Sequence, residues 1–508
     1  MSKRGLMFIP SQVSLEAFVG TVPAHYNVLA SPHDFTDAVS LIQNISHNWT
    51  YSGTGASISG YSFIGPDSFL SAQKLTENSA AGNHFVAGPS GDGGTTAGSG
   101  VAFNSGFVAP VKLRYALIVK ASGRNRVVIR GGSANAFTGS TYVSSGFDLA
   151  GGNTGYDTAN DAAVWGVPVS SMRSLGGDWW LCMMDALNSD IAAGAMAANN
   201  MAIFMDNGSG TGARSISYTG DGTSGVLLYW ASILPVAAWG NFQQVFFDDF
   251  NSISTIDVND TRAEGFNWYT HNTWPHSWGG DRNTGITTPA SFISVSNSIL
   301  TISDDASGFG SGIATAAANP SNSTTRVGQV YGPAPLLMEA RMAWDITVPT
   351  VGGDTNGPAW WAAGYAGKVI DTYPQKSAEL DIIEVFANSF ATISAGLSAH
   401  HWTATAIGVA TDIQLGSPWN TASRSQGTSD FRNYACFVYS PASNDGSNGG
   451  EFAFVDGIFH PAGFSGWGMA PANFYTLHTD QYVLLLGARH SGGKPAWPMI
   501  CDWVKVFS

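Results

Sequence analysis

The sequence predicts an all-β protein of two β-sandwich or jelly-roll domains, and three observations carry this prediction. Apolar residues rarely recur at the spacing of about 3.6 that marks an amphipathic helix. Short runs of alternating apolar and polar residues recur instead, separated by Gly, Asn, Ser and Pro. Charged residues form 11% of the 508-residue chain and aromatic residues 12%, a composition that excludes a disordered chain or a coiled coil.

Two segments illustrate the strand pattern. Lys112–Lys120 and Gly450–Asp456 alternate between apolar and polar side chains, as strands with one buried face do. Helix is expected only as a minor component, over Ser11–Val19 and around Phe35–Ile45. The sequence contains no repeat at the period of a solenoid or a propeller. Sandwiches or barrels are the architectures that many short strands with frequent turns favour.

The charge balance limits the class of partner. The chain has 22 Lys and Arg against 36 Asp and Glu, a formal net charge of −14. Binding to a nucleic-acid backbone needs Lys and Arg to replace counterions, so this balance argues against a nucleic-acid partner. No segment approaches the roughly 18 apolar residues of a membrane span. Neutral polymers such as polysaccharides remain suitable partners.

The cysteines and the first residues bear on the cellular compartment. Cys182, Cys436 and Cys501 form an odd, widely spaced set that implies neither a zinc site nor a disulfide framework. The apolar stretch Leu6–Ile9 ends at Pro10 and is too short for the core of a signal peptide. The richness in Gly, Asn, Ser, Thr and Trp is nevertheless typical of an extracellular protein that faces sugars. We therefore expect an extracellular or virion-associated protein without a secretory leader.

Shifts in the apolar pattern predict three segments. These are an N-terminal leader or anchor (1–44), a first β-domain (45–239) and a second β-domain (240–508). The boundary is placed near Pro235–Asn241. Tyr218–Ser232, before it, has the pattern of a turn followed by a closing strand, and Val245–Phe250, after it, begins a new apolar pattern.

The densest cluster of acids lies in Ser377–Phe386, where three of the 36 acidic residues fall within six positions. Glu379 and Asp381 share one face of a strand because side chains alternate between faces. Glu384 would face the other way, but a β-bulge at Ile382–Ile383 adds one residue and returns it to the acidic face. Three carboxylates would then line one side of one strand.

Two interpretations of this acidic strand are open. In the simpler one the acids are merely exposed at a solvated strand edge, although like charges this close repel each other. Glycoside hydrolysis, by contrast, requires such a cluster, because a retaining enzyme places a nucleophilic carboxylate and an acid/base about 5–5.5 Å apart. A third carboxylate between them can share protons and keep one glutamic acid protonated near neutral pH.

Segments across residues 245–508 resemble glycoside hydrolase family 16. Glu379–Glu384 resembles the family's E-x-D-x-x-E signature, in the bulged form of laminarinase-, agarase- and carrageenase-like members. Further segments that resemble the family, in its order, are Phe247–Phe250, Tyr331–Arg341, Gly357–Trp361, Phe454–Gly457 and Met499–Phe507. The third of these departs from the family pattern, because Gly357 replaces the first Trp of "W-P-A-F-W". The resemblance implies a concanavalin A-like sandwich for the second domain.

The resemblance also implies roles for the three acids. By position, Glu379 would be the nucleophile, Asp381 the assisting acid and Glu384 the general acid/base. The implied reaction is endo-acting hydrolysis of β-1,3- or β-1,4-linked glucans or galactans with retention of configuration. No metal or other cofactor would take part in the chemistry.

Candidate substrate contacts follow from the apolar C–H faces of sugar rings, which stack on aromatic side chains. The candidates are Trp278, Trp360, Trp361, His400, Trp402 and Arg341. Trp268, Trp274 and Trp278 are bunched in a region rich in Gly, Asn and His, where a core position is less natural. A loop beside the cleft is therefore the expected place for this group.

Two further pairs lie near the acids in the sequence. Trp360 and Trp361 are adjacent, so in a strand they face opposite ways; Trp361 is expected toward the cleft and Trp360 nearer the core. His400 and Trp402 share a face by the same period, on what would be the strand next to the acidic one. A substrate contact and a structural role are both open for the histidine.

Two polar residues have alternatives of their own. Arg341 could orient the acids or simply pair with Glu339. Many members of the family that the chain resembles hold a structural calcium through an Asp of the last strand, and Asp502 matches that position. The other interpretation of Asp502 is an ordinary exposed aspartate.

Residues 45–239 contain no convincing catalytic set. A series of short motifs there resembles jelly-roll, carbohydrate-binding-like domains of bacteriophage tail and tail-spike proteins. The motifs are Gly65–Asp67, Ala72–Glu77, Gly82–His84, Tyr115–Lys120, Phe147–Leu149, Gly177–Trp180 and Gly220–Gly222. The alternative is a packing or trimerisation module that binds no sugar. Lys74, Glu77 and His84 suit a role as fold determinants as well as a role as ligand contacts.

Two functions from different classes follow. The first is a retaining endo-β-glycanase, in the setting of a phage tail depolymerase that digests capsule or exopolysaccharide, with a homotrimer or other virion tail proteins as partners. The second is a non-catalytic, lectin-like virion protein that recognises a glycan receptor, since a sandwich fold alone does not confer catalysis. The clustered carboxylates favour the enzyme, because a lectin has no need of them.

Overall fold

Strands joined by turns make up the described chain, as the alternating pattern predicts. The computed structural model describes residues 55–60, 62–66, 70–87, 111–132, 142–159, 166–188, 200–208, 215–236, 243–271, 287–303, 311–344, 355–364, 375–389, 392–406, 409–414, 431–439, 450–455, 458–459, 481–488 and 498–508. These residues divide into two compact units, one before residue 237 and one after residue 242.

The first unit contains fourteen described strands. They are β1 (Ala56–Ile58), β2 (Phe63–Ile64), β3 (Leu70–Glu77), β4 (Ala81–Asn83), β5 (Phe85–Ala87), β6 (Val111–Ser122), β7 (Arg126–Gly132), β8 (Tyr142–Asp148), β9 (Asn153–Ala159), β10 (Val169–Gly176), β11 (Trp179–Asn188), β12 (Asn200–Met205), β13 (Ser217–Thr219) and β14 (Gly225–Pro235). One sheet has the order β1-β3-β14-β6-β11-β10 with β2 beside β3, a second has the order β5-β12-β7-β8-β9, and β13 pairs with β4.

The core of the first unit includes residues from both of its larger sheets. Leu113, Tyr115 and Leu117 on β6 are fully buried, and so are Val127 and Ile129 on β7. A side chain at Gly131 would meet the Tyr115 ring at 2.4 Å, so glycine is needed where this ring crosses from one sheet to the other. The two sheets therefore pack face to face as a sandwich.

The second unit contains eighteen described strands and two single-turn 3-10 helices, Ile253–Thr255 and Ala290–Phe292. The strands are β15 (Gln244–Asp248), β16 (Ile256–Asp257), β17 (Trp268–Tyr269), β18 (Ile293–Ser296), β19 (Ile299–Ile302), β20 (Ser311–Ala314), β21 (Ala316–Asn319), β22 (Asn322–Gly328), β23 (Leu336–Trp344), β24 (Thr355–Gly364), β25 (Gln375–Ser389), β26 (Thr392–Ala406), β27 (Val409–Gln414), β28 (Arg432–Tyr439), β29 (Gly450–Val455), β30 (Ile458–Phe459), β31 (Tyr482–Ala488) and β32 (Met499–Phe507).

Two eight-stranded sheets form the sandwich of the second unit. One has the order β18-β19-β32-β23-β28-β29-β30 with β15 beside β32, and the other has the order β16-β17-β20-β31-β24-β25-β26-β27. The sheets face each other, since β24 contacts β32 and β25 contacts β28. The described pairings are antiparallel except for the short pair β16–β17. We call the sheet that holds β24, β25 and β26 the acid sheet.

Central strands of the second unit are buried on both faces. All residues of β31 are buried, as its unbroken apolar run Tyr482–Ala488 predicts for a strand covered on both sides. On the neighbouring strands β23 and β28, the buried Trp344 stacks on Tyr434 with ring centroids 5.8 Å apart. The hairpin from β18 to β19 turns at Asn297 and Ser298, both at positive φ, as a two-residue turn that matches the strand twist requires.

The prediction of an all-β fold with β-sandwich domains is confirmed. The helices expected over Ser11–Val19 and Phe35–Ile45 lie outside the described residues. The predicted boundaries at residues 44 and 239 stay predictions. Within the described part of the chain, no helix is long and apolar enough to cross a membrane. The three cysteines are all buried and none forms a disulfide.

Candidate active site

The bulge predicted in the acidic strand is present. On β24, Trp360 lies opposite Ile383 and Trp361 lies opposite Asp381, so Ile382 has no partner on that strand. The pairing of β25 with β26 shifts by one residue over the same stretch. The extra residue interrupts the alternation of faces, so that Asp381 and the next acid along the strand belong to the same face.

The register places all three acids on one face of the acid sheet. Glu379 lies opposite Ala363 and Glu384 lies opposite Ala359. Asp381 lies opposite Trp361, midway between those two alanines. Residues at alternate positions of β24 share a face, so the acids opposite them share it too. The three acids predicted as catalytic are thus brought together by the backbone; their roles stay predictions.

The acids differ in burial. Asp381 is 3% exposed and its Oδ1 atom is inaccessible to solvent, whereas Glu379 is half-buried. Ile382 and Ile383 are both buried, so the bulge also inserts an extra apolar side chain into the interior. For Glu384 the register describes the backbone position. We call Glu379, Asp381 and Glu384 the acid row. Its middle acid, Asp381, is enclosed by protein.

Trp360 and Trp361 take opposite faces, as adjacent strand residues must. Trp361 shares the face of the acids, and Trp360 is fully buried on the other face, opposite Leu486. The face assigned to Trp361 is thus the predicted one. Its side chain is nevertheless only 3% exposed, so the indole is enclosed rather than open to solvent.

An apolar cluster surrounds Trp361 on the face of the acids. The cluster consists of Ala314, Ala316, Ala359, Trp361, Ala363, Val483 and Leu485, with Val330 packed against it. A Cβ atom at Gly487 would lie 3.2 Å from both Cη2 and Cζ3 of Trp361, so glycine leaves the room that the outer end of the indole occupies. This cluster borders the acid row on its β24 side.

The strand on the other side of the acid row is β26. His400 lies opposite Glu379, and Trp402 lies opposite Ser377 two positions earlier. The expectation that these residues lie on the strand next to the acids is therefore met at the level of the backbone. Their contacts with a substrate stay predictions.

Arg341 lies on the other sheet and has neither of its two expected partners. Its Nη1 donates to Oδ2 of Asp502 at 2.6 Å, and its guanidinium lies 5.3 Å from the centroid of the Phe431 ring. Glu339 is on the same strand but is not the partner in this ion pair. A contact of Arg341 with a substrate or with the acids stays a prediction.

The same ion pair bears on the predicted calcium. Asp502 is the extra residue of a bulge on β32, where the pairing with β23 shifts after Arg341. A guanidinium in contact with its carboxylate opposes the approach of a second cation. No group of three or more His, Cys, Asp or Glu suited to a metal occurs among the described residues. The ion pair with Arg341 therefore argues against a structural calcium at Asp502, and the calcium stays a prediction.

Trp268 is a core residue, which corrects the expectation of a loop position beside the cleft. It is fully buried, its Nε1 donates to Oδ2 of Asp248 at 3.1 Å, and its ring packs against Phe246 and Phe250. A buried carboxylate that accepts the indole N–H makes this position favourable. Trp274 and Trp278 lie outside the described residues, so the substrate contact predicted for Trp278 stays a prediction.

The polar residues singled out in the first unit serve its fold. Glu77 is fully buried and accepts hydrogen bonds from Arg124 Nε at 2.7 Å, Tyr218 OH at 2.6 Å and the Asp221 backbone N–H at 2.7 Å. Burial alone would raise the pKa of Glu77, but these hydrogen bonds, that from Arg124 first, outweigh burial and lower it. We call Glu77, Arg124, Tyr218 and Asp221 the Glu77 cluster.

His84 and Lys74 are also used within the first unit. His84 is buried, with its ring nitrogens bonded to the backbone oxygens of Gly55 and Tyr218. Lys74 Nζ donates to the Thr223 backbone oxygen at 2.9 Å. Of the two roles left open for Lys74, Glu77 and His84, the structure supports that of fold determinants.

The solved structures that the chain resembles cover about half of it. No protein-family model matches the chain, and no curated protein matches it. Three similar solved structures are a κ-carrageenase from Pseudoalteromonas carrageenovora (14% identity, 52% of this chain and 94% of that chain, TM-score 0.32), an endo-β-1,3-glucanase from Pyrococcus furiosus (14%, 53% and 94%, 0.32) and a glycoside hydrolase family 16 endo-glucanase from Bacteroides ovatus (15%, 52% and 99%, 0.32). At such identities and TM-scores these likenesses establish neither family membership nor activity.

Proposed function

We propose that the protein is a retaining endo-β-glycanase whose chemistry is carried by Glu379, Asp381 and Glu384. The observation that carries the proposal is the bulge at Ile382, which sets three carboxylate residues on one face of one strand. The Cα atoms of the two glutamates are about four strand steps apart, on the order of 13 Å at ~3.3 Å per residue. The proposal requires that the two carboxyl groups approach to the roughly 5–5.5 Å separation of a retaining glycosidase.

In the proposed mechanism Glu379 attacks the anomeric carbon as its C–O bond to the leaving sugar breaks. Glu384 donates its proton to the departing glycosidic oxygen, so the released sugar leaves as a neutral alcohol. A covalent glycosyl-enzyme ester forms on Glu379. Glu384 then takes a proton from water, the water oxygen attacks the anomeric carbon, and Glu379 is released as a carboxylate. Two displacements at one carbon give net retention.

Asp381 stands between the two glutamates in the row. A carboxyl group in that position can hold a proton that either neighbour needs, which prevents two negative charges from lying side by side. Its burial is consistent with this role, since an acid enclosed beside the two glutamates is shielded from bulk water. Asp381 is thus proposed as the assisting acid.

The proposed substrate is a β-1,3- or β-1,4-linked glucan, galactan or related bacterial polysaccharide. The chain's shortage of cations supports a substrate that carries little charge, since only 22 of 508 residues are Lys or Arg. The proposed setting is a virion that digests capsule or exopolysaccharide, and the series of motifs in residues 45–239 supports it. In the first unit, the internal use of Glu77 and His84 favours a packing module over a sugar site at those residues.

A polysaccharide panel, including host exopolysaccharide, tests the proposal by reducing-end release and product size. We expect the wild-type protein to cut one class internally, giving oligosaccharides early in the reaction. Glu379→Gln should lower this activity by at least about three orders of magnitude, because no covalent intermediate can form. Glu264→Gln, the same change at an exposed glutamate of the same unit, is the matched control and should keep full activity. Equal activity in both variants would refute the mechanism at this strand.

A further inference from the structure

The side of the acid row that faces β24 is closed by packed protein. The β24 residues opposite the three acids, Ala359, Trp361 and Ala363, are 1%, 3% and 0% exposed. Further from the acids on the same face, Leu485 and Val483 of β31 are buried as well. A sugar ring needs accessible surface to lie on, and these residues offer none. The side of the acid row that is left for a polysaccharide is that of β26.

Along the acid row, the residue opposite on β26 becomes smaller from one glutamate to the other. The three acids, beginning with Glu379, lie opposite His400, Ser398 and Gly396 in turn. At the end of the row, Glu384 therefore has a β26 neighbour without a side chain. A glycine inside a strand weakens the strand, and it often marks a place where a ligand or another backbone comes close.

The proposed chemistry says which sugar belongs at the glycine. The departing sugar is bonded to the glycosidic oxygen that Glu384 protonates, so it lies beside Glu384, while Glu379 attacks the anomeric carbon from the opposite side. We propose that Gly396 is a specificity-determining residue, whose missing side chain leaves room beside Glu384 for the departing sugar of a polysaccharide. The inference rests on the proposed glycoside hydrolysis. It deepens that function by assigning the leaving-group end of the substrate to the β26 side of the acid row.

Side chains of increasing size at Gly396, assayed on two substrates, test the proposal. On the polysaccharide that the wild type cleaves, Gly396→Ala should lower kcat/KM less than about threefold and Gly396→Leu at least about tenfold, because the larger side chain fills the space of the departing sugar. The second substrate is the β-fluoride of an oligosaccharide that the wild type releases, from which fluoride departs without a sugar and without a proton. On this substrate both variants should keep kcat/KM within about threefold of the wild type.

Gly155→Leu is the matched control. Gly155 lies in β9 of the first unit, where an added Cβ would meet no heavy atom within 4 Å apart from those of its chain neighbours. The same change of size at this glycine should leave kcat/KM unchanged on both substrates. A glycine at position 396 that served only the neighbouring bulge would give another result. Gly396→Leu would then lower Tm and reduce activity on both substrates alike, which would overturn the proposal.

Transfer to an acceptor sugar gives a second measurement. An acceptor that replaces water in the second displacement occupies the place of the departing sugar, because that step reverses the first. With the fluoride and an excess of acceptor oligosaccharide, the wild type should form transfer products, whereas Gly396→Leu should form only the product of hydrolysis. Equal yields of transfer product from the two proteins would overturn the proposal.

The two substrates distinguish failure of this inference from failure of the proposed function. If the wild type cleaves neither a polysaccharide of the panel nor a glycosyl fluoride, the proposed function fails and this inference fails with it. If the wild type cleaves both and Gly396→Leu cleaves the polysaccharide equally well, only the assignment of Gly396 fails. A loss confined to the polysaccharide, growing from Ala to Leu, is the result that supports it.

Discussion

The Glu77 cluster of the first unit and the acid row of the second use carboxylates in opposite ways. Glu77 is a single acid that meets a guanidinium, a phenol and a backbone N–H drawn from distant parts of the chain. Glu379, Asp381 and Glu384 are three acids from six consecutive residues, held together by one bulge. A lone acid satisfied by donors stabilises a fold. Acids of like charge gathered on one face oppose folding, and the proposed glycoside hydrolysis would explain why they are kept together.

Among the changes to the acid row that still leave a diagnostic product, replacing Glu384 is expected to have the largest effect. Glu384→Ala should abolish cleavage of natural polysaccharide, while an activated aryl glycoside, whose leaving group needs no proton, keeps much of its glycosylation rate. Azide should then restore turnover and give a β-glycosyl azide of retained configuration, identified by NMR. If azide instead gave the β-glycosyl azide with the Glu379→Ala variant and not with Glu384→Ala, the two roles would be reversed.

For the Glu77 cluster we expect the reverse: a substitution should lower stability and leave activity unchanged, and the effect should be smaller. Glu77→Gln should lower the free energy of unfolding by about 2–3 kcal/mol, since it weakens hydrogen bonds to a buried charge and leaves Arg124 without its carboxylate. The activity of each folded molecule should not change. Chemical denaturation with Glu264→Gln as the exposed control measures the loss. A stable variant with reduced activity would instead place Glu77 in a functional site.

This difference in stability should depend on pH. The pKa of Glu77 is lowered in the folded protein, so its charged form stabilises the fold above the ordinary glutamate pKa of about 4.3. As the pH falls below that value and through the lowered pKa, the contribution is lost. The unfolding curves of the wild type and Glu77→Gln should therefore converge in acid. A gap that stays constant from pH 7 to pH 3 would show that the charge is not what stabilises the cluster.

The same contrast explains what the sequence predicts well. The acid row is a local pattern: alternation places Glu379 and Asp381 together, and parity demands one extra residue before Glu384 joins them. Strand β26 follows directly, so His400 opposite Glu379 is also within reach of a local argument. Three acids within six residues, in a chain poor in charged residues, are the signal that predicts this strand as the site.

Local sequence patterns do not predict contacts between residues that are distant in the chain. Arg341 and Asp502 are 161 residues apart, and each has an oppositely charged residue nearer in sequence, Glu339 for Arg341 and Lys505 for Asp502. Tyr218 meets Glu77 over 141 residues, and only the turn motif around Asp221 hinted at that region. The enclosure of Trp361 depends on a glycine of another strand, and the burial of Trp268 depends on Asp248. Contacts between segments that are distant in sequence, which no local pattern encodes, decide each case.

Covalent trapping tests the central claim most directly. A 2-deoxy-2-fluoro glycoside of a cleaved oligosaccharide, with an activated leaving group, should form a stable ester with the nucleophile because fluorine slows the second displacement. Digestion and mass spectrometry should then locate the sugar on Glu379, while Glu379→Gln stays unlabelled and Glu264→Gln labels like the wild type. Labelling at Glu384 or at a residue outside β25 would contradict the account, as would cleavage of the natural substrate with inversion of configuration.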